Sequence, residues 1–390
     1  MRISDSELIR LQVVKAIRRA EPVARTDLVA LTGLSTGTVS QVTGDFVRRG
    51  IVVEERASGR ALGRPRIELR INAAAGYVLT VFHRGFDWVD IEIVDMRGDA
   101  VFTYRTPVAR AETLADRAGQ LSRIVNDAIA ASPVSKAQIL KVGVVIHGVV
   151  DHQRGAILWL HSFTETEVPF AALLGEHLQL PVVIDNDTNV IARAVHWFGE
   201  GRAFDDFGVI VVDASVTIGY YVDGMLWSGP NGLNPELGHI KIGGGEPQPC
   251  FCGMSGCLAT YSSIFGIVGR IRARRGLDRA GAEDMSAAFR AFLAEALAGE
   301  PVARDVFDLA GRVLGTAVAN LLHERDPGRI LIMVFNDDLA ALIKDEFAAA
   351  LQANTLPVVL SRAKVDFRTI DADYYLKGSA ALALEDIFLG

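Results

Sequence analysis

Cysteine is almost missing from this chain: three in 390 residues, all between positions 250 and 257. A disulfide framework needs paired cysteines spread along the sequence, so that scaffold class is excluded. No apolar run approaches the roughly 18–20 residues a membrane helix needs. The N-terminus mixes charge with leucine and holds no secretory apolar core. A soluble, cytoplasmic protein without membrane partners is expected. Half the residues are hydrophobic and 22% are charged, which allows sizeable cores and excludes a disordered polymer. At about 150 residues per domain, the length allows two or three domains.

Charge is unevenly spread. Residues 1–75 hold 13 Lys and Arg against 8 Asp and Glu, a net +5. The whole chain is −7, so the remainder carries −12. An acidic body repels polyanions, so any nucleic-acid contact falls to the basic end.

Those 75 residues read as a winged helix-turn-helix. Asp5 or Ser4 can cap a helix with Leu8, Leu11, Val14 and Ile17 on one face, ended by Pro22. Thr26 can cap a short second helix, and Thr32-Gly33 a tight turn. Ser35 can cap a third helix with Val39, Val42 and Phe46 inward and Gly50 at its end. Ser35, Thr36, Thr38, Ser40, Gln41 and Thr43 lie between those apolar positions, where short polar side chains suit base edges and phosphates. Two strands, at 51–55 and around Ile67, Leu69 and Ile71, flank a loop carrying Arg60, Arg64 and Arg66. Gly-Arg-Pro-Arg is extended enough to lay arginines into a narrow minor groove. The competing reading is a solvated hairpin; the ordered set of three helices and a basic wing favours double-stranded DNA.

From Tyr77 onward strands alternate with helices. Strands are expected at 77–82, 89–95, 142–147, 182–185, 209–213, 218–222 and 330–333. Helices are expected at 113–132, 170–178, 192–198, 263–274, 286–298, 303–324, 338–350 and 379–388. That alternation indicates an α/β body with parallel sheets. Residues 76–390 are long for one core, so two lobes with a cleft between them are expected.

Cys250, Cys252 and Cys257 sit among glycines that let the backbone fold thiolates around one centre. A closed thiolate site suits Zn²⁺ and needs a fourth ligand; His239 is the nearest upstream histidine. A structural Cys₃His zinc is expected, with no open position for hydrolysis. Three ordinary thiols in a loop is the competing reading. A second constellation, Asp185-Asn186-Asp187-Thr188-Asn189, follows an apolar strand and precedes a helix. Such side chains can bind paired sugar hydroxyls or simply cap the helix. Glu236 lies three residues before His239, so the zinc loop can also carry a ligand-facing carboxylate.

The stretches "LVALTGLSTGTVSQVTGDFVRRGIVVE", "GRPRIELRIN", "GVVIHGVVD", "VPFAALL", "LPVVIDNDTNVIARA", "ELGHIKIG" and "CFCGMSGCLATYSS" resemble the ROK family of repressors, open reading frames and kinases. The resemblance spans nearly the whole chain. It implies a winged helix joined to a two-lobed, actin-like and sugar-kinase-like (ribonuclease H-like) body. It implies His239, Cys250, Cys252 and Cys257 as zinc ligands. It also implies sugar contacts from Asn186, Asp187, Glu236 and the second edge of His239, with Gly148 in a glycine turn beside the sugar. In the kinase members the residue matching Asp187 is the general base.

Departures from the kinase pattern are chemical. Kinases of this type need glycine-rich loops whose N–H groups cradle phosphates. Here the three corresponding stretches read Phe82-His83-Arg84-Gly85-Phe86, Asp213-Ala214-Ser215-Val216-Thr217-Ile218-Gly219 and Met333-Val334-Phe335-Asn336. Bulky side chains block the approach a phosphate requires. Ala259 stands where the family usually has a sugar-binding glutamate. Losing a charged partner costs on the order of 1.5–3 kcal/mol, tenfold or more in affinity. The expectation is a DNA-binding transcriptional regulator, a repressor, acting as a homodimer or homotetramer and controlled by a sugar or sugar-like effector in a non-catalytic body. A sugar kinase with Asp187 as base and a regulator driven by a protein partner are the alternatives.

Overall fold

The computed structural model describes residues 4–56, 66–84, 87–230, 232–243, 245–278 and 285–389. It divides into two units, Met1–Arg202 with Asp373–Gly390, and Ala203–Ala372.

The first unit opens with α1 (Asp5–Ala20), β1 (Val23–Ala24), α2 (Arg25–Thr32), α3 (Thr36–Arg48), β2 (Val52–Arg56) and β3 (Ile67–Ile71). Ser4 caps α1 in a reciprocal box: its hydroxyl accepts the Glu7 N–H at 3.3 Å and Glu7 accepts the Ser4 N–H at 2.6 Å. Gly33 closes α2 with φ 69°, a conformation a Cβ disfavours. Ser35 caps α3, its Oγ accepting from the Thr38 N–H at 3.1 Å. Three expectations are corrected. The expected Thr26 cap is not used, because α2 already begins at Arg25, with Ala24 at the cap position and no side-chain cap. Leu8 is exposed, and the buried face of α1 begins one turn later at Leu11. Val42 is only half-buried, while Thr43 beside it is fully buried. The strands form one sheet in the order β1–β3–β2, the two-residue β1 being too short to leave a sequence signal.

The rest of the first unit is built on β4 (Tyr77–Arg84), β5 (Trp88–Asp95), β6 (Ala100–Pro107), α4 (Leu114–Ala131), β7 (Ile139–Ile146), the short hairpin β8 (Val149–Asp151) and β9 (Ala156–Trp159), α5 (Phe170–Leu178), β10 (Val182–Asn186) and α6 (Asp187–Trp197). Its sheet runs β10–β7–β4–β5–β6. The second unit holds β11 (Phe207–Val212), β12 (Val216–Val222), β13 (Met225–Leu226), α7 (Ala259–Ser262), α8 (Ile264–Arg274), α9 (Met285–Leu297), α10 (Pro301–Arg325), β14 (Arg329–Val334), α11 (Asp337–Asn354), α12 (Pro357–Leu360) and β15 (Lys364–Thr369). Its sheet runs β13–β12–β11–β14–β15. The two sheets therefore share one topology: an antiparallel three-strand meander, then two parallel strands beside its first member.

The sheets are mixed, which corrects the expectation of parallel ones. Short connections force antiparallel pairing: Arg84 faces Trp88 and Val212 faces Val216. The edge strands β6 and β15 were not anticipated. Neither contains a fully buried residue, so neither carries an apolar run.

Each unit has its own core. In the first, Leu79, Ile91 and Val144 of the sheet pack with Leu121 and Val125 of α4 and Leu174 of α5. In the second, Ile210 and Ile332 of the sheet pack with Phe307 and Leu314 of α10. The last helix, α13 (Ala372–Leu389), belongs almost entirely to the first unit. It lies so close to α6 that a Cβ on Gly378 would fall 1.8 Å from the Val190 carbonyl oxygen. No helix among the described residues is long and apolar enough to cross a membrane.

Candidate functional site

The turn between β10 and α6 divides its side chains among three tasks. Asn186 is the N-cap, its Oδ1 accepting from the Asn189 N–H at 2.8 Å. Asp185 is fully buried and pairs with Arg193, Oδ2 to Nη1 at 2.5 Å. Asp187 is the accessible carboxylate. Its Oδ1 accepts the Thr188 N–H at 2.7 Å, and its Oδ2 accepts from His147 Nδ1 at 2.9 Å. Capping thus falls to Asn186 and leaves the Asp187 carboxylate partly accessible. Asn186 has its carbonyl oxygen committed and is 8% exposed, so only its amide nitrogen remains for a ligand.

His147 extends from the end of β7, the strand paired in parallel with β10. Its Nε2 lies 3.0 Å from the His83 carbonyl oxygen, and its ring meets Tyr375 edge-on at 6.1 Å. Sequence reasoning passed over it, although a polar ring just before Gly148 on an otherwise apolar strand was a visible signal. Gly148 has no room for a side chain: a Cβ there would fall 2.6 Å from the Trp159 carbonyl oxygen. Glu236 and His239 belong to the other unit, where Glu236 is exposed and His239 half-buried on the short turn Leu237–His239. Ala259 is fully buried in α7.

In that unit, the ligand atoms of His239, Cys250, Cys252 and Cys257 all lie within 4.8 Å of one another. Cys250 Sγ is 3.7 Å from His239 Nδ1, and Cys252 Sγ is 3.8 Å from Cys257 Sγ. A tetrahedron with metal–sulfur bonds of about 2.3 Å has sulfur–sulfur edges of about 3.8 Å. Gly253 and Gly256 at φ 85° and 71° make the reversals that gather the thiols. Burial pushes the Cys250 thiol up to about 12, so a cation in the cluster is what would favour its thiolate. Burial, then Lys241, hold His239 below its usual range, in the neutral form that ligates. Lys241 Nζ reaches Cys257 Sγ at 2.9 Å, and Phe251 packs edge-on against the His239 ring. The donor set fits a soft metal ion held by four protein ligands.

The three stretches where phosphate loops were sought are filled by side chains or capping. Strand β4 continues through His83 and Arg84, and Phe82 stacks on Tyr375 with ring centres 4.2 Å apart. Gly85 and Phe86 lie outside the described residues. β11 turns sharply into β12, Asp213 N–H donating to the Ser215 carbonyl at 2.9 Å. After β14, Phe335 packs edge-on against Phe289 and Asn336 caps α11.

On α3 and its N-terminal cap, Ser35, Thr36, Ser40 and Gln41 are exposed. Thr38 is half-buried, its hydroxyl 2.8 Å from Ser35 Oγ. Thr43 is corrected from a DNA contact to a core residue. It is fully buried, donating to the Val39 carbonyl at 2.7 Å and accepting from Arg25 Nε at 2.8 Å. Arg66 is exposed and ion-paired with Asp27. Arg60 and Arg64 lie outside the described residues.

A model of the ROK family matches residues 90–371. The chain belongs to the ROK family. Among its curated relatives, a xylose repressor of Caldicellulosiruptor bescii is 25% identical over 84% of this chain and 82% of its own length. A glucokinase of Halalkalibacterium halodurans is 30% identical over 61% of this chain and 74% of its own. A solved structure described as a ROK family transcriptional regulator, a homologue of the Escherichia coli Mlc protein, superposes with a TM-score of 0.80 at 22% identity and covers 98% of both chains. Repressors and kinases thus share this ROK fold, and the sites must decide between them.

Proposed function

We propose that this ROK protein is a DNA-binding transcriptional repressor of carbohydrate genes, controlled by a sugar or sugar-like effector. Residues 1–75 act as a winged helix-turn-helix and 76–390 as the effector-binding, oligomerising body. One observation carries the reading: a capped helix α3 with exposed Thr36, Ser40 and Gln41 precedes the kinase-like body. The xylose repressor among the relatives supports it over most of the chain. A helix N-terminus with short polar side chains donates to phosphates and reaches base edges. Arg60, Arg64 and Arg66 are assigned to the wing.

Effector contacts are assigned to Gly148, Asn186, Asp187, Glu236 and His239. Binding shifts the population between arrangements of a homodimer or homotetramer. The protein works in the cytoplasm, where its DNA is. Zinc held by His239, Cys250, Cys252 and Cys257 would supply folding energy and fix the loop carrying Glu236. With four protein ligands, the metal keeps no open position for chemistry.

A kinase role for Asp187 is disfavoured. Its Oδ2 is engaged by His147, and Phe82 and Phe335 pack where phosphate needs bare backbone. The test selects binding duplexes from a random library with the full chain. Binding that weakens steeply with salt and disappears on deletion of 1–75 is expected. A truncated body that still binds the selected duplex, or ADP formation from ATP, Mg²⁺ and a sugar at about 1 s⁻¹ or faster, overturns it.

A further inference from the structure

The Asp185–Asn189 turn is joined to the three-helix module by an unbroken chain of contacts. Asp185 Oδ1 accepts from the Asn186 N–H at 2.7 Å and from Asn189 Nδ2 at 2.8 Å. Its Oδ2 accepts from Arg193 Nη1 at 2.5 Å. Arg193 Nε donates to Glu385 Oε2 at 2.8 Å, and the other Glu385 oxygen accepts the Trp197 indole N–H at 2.5 Å. The guanidinium of Arg18, from α1, lies 4.9 Å from the Trp197 ring centre. Arg18 also donates to the Met96 and Arg97 carbonyls at 3.2 and 2.8 Å.

The same end of α13 supports α3. Phe388 stacks on Trp197 and meets Phe46 edge-on at 6.4 Å. Arg49 donates to the Ile387 carbonyl at 2.7 Å. Both α1 and α3 therefore rest on a seat made of Trp197, Ile387 and Phe388. Glu385 connects that seat to Arg193 and so to the turn. Asp185, Arg193 and Trp197 are each less than 5% exposed, so water has little access to replace a lost partner. An arginine buried between two carboxylates tolerates the loss of either one poorly.

We infer that Arg193 and Glu385 are positioning residues that couple the ligand turn to the seat of the DNA-reading module. Reorientation of Asn186 and Asp187 moves Asp185, which shares their turn, and Arg193 and Glu385 carry that shift to Trp197. The regulatory meaning rests on the proposed function. The coupling itself is measured on the full chain without sugar or DNA. Glu385→Gln keeps the side-chain shape and an acceptor for Trp197 while removing the charge facing Arg193. It is expected to speed amide exchange at 185–189 by about fivefold or more, with α4 unchanged. In an Arg193→Met background, Glu385→Gln is expected to add nothing at the turn. If its effect there persists undiminished, α13 has merely loosened and the inference fails. Reciprocally, Asp185→Asn is expected to shift the Trp197 indole N–H resonance, assigned with Trp197→Phe. If Asp185→Asn does not fold, Arg193→Lys takes its place; an unmoved resonance overturns the inference. Loss of sugar and DNA binding alongside intact coupling would remove the regulator reading and leave the coupling standing.

Discussion

His147 Nδ1 and Asp187 Oδ2 stand 2.9 Å apart at the ends of two paired parallel strands. The carboxylate proposed to meet the effector is thereby also held by an imidazole. Asp187→Asn keeps the size and one acceptor oxygen but removes the charge. It is expected to weaken any monosaccharide that raises the melting temperature by about tenfold or more, with the urea midpoint unchanged. Calorimetric titration measures it; an unchanged affinity takes Asp187 out of the effector site.

Thr36 and Gln41 are exposed on α3, whereas Thr43 is buried in the module core. Gln41→Ala is expected to weaken a selected duplex by about 1–3 kcal/mol without changing stability. Thr43→Ala is expected to lower stability by about 1–3 kcal/mol, because Arg25 loses its acceptor. Fluorescence anisotropy and urea denaturation on the same two variants separate the roles.

Metal analysis is expected to return about one zinc per chain. Cys252→Ser is expected to lower both metal content and melting temperature, since a structural metal contributes folding energy. Stoichiometric metal in that variant would exclude Cys252 as a ligand.

Burial, with Lys15 and Arg19 nearby, pushes His196 down to about 2. An ordinary histidine titrates near 6.5, so below that pH the unfolded chain binds a proton that the folded chain refuses. Neutral imidazole adds nothing above about 6.5; stability falls by about 1.4 kcal/mol per unit as pH drops below it. His196→Gln is expected to flatten that part of the profile, so the variant-minus-parent difference in urea stability between pH 7.5 and 5.5 is the readout. Parallel profiles refute the assignment.

Gly378 and Gly269 provide opposite expectations. A Cβ on Gly378 meets backbone of α6 at 1.8 Å, whereas one on Gly269 in α8 meets nothing within 4 Å. Gly378→Ala is expected to cost about 1–3 kcal/mol or more. Gly269→Ala is expected to gain about 0.5–1 kcal/mol from helix propensity. Thermal denaturation of the pair distinguishes close packing from backbone entropy.

Much of the architecture was legible because it repeats short-range rules. Ser35 announced the cap of α3, Gly33 its preceding turn, and the apolar runs around Val144, Ile210 and Ile332 the central strands. The edge strands β6 and β15 were hidden because partly exposed strands bury no continuous run. The cysteine cluster was legible for a different reason: cysteine is so scarce that three within eight residues stand out against the whole chain.

The sequence alone therefore determined the cap of α3, the central strands, the basic front end and the cysteine cluster, all written in neighbouring residues. Tertiary structure decided which polar groups are spent internally. Thr43 looks like its neighbours along α3 until helix packing turns it inward onto Arg25. Asp185 and Asp187 are two residues apart in one turn. Only the fold, by bringing Arg193 and Glu385 beneath one and His147 over the other, gives them different work. The Arg193–Glu385 pair, 192 positions apart, depends on how the chain returns through α13, which no local pattern encodes.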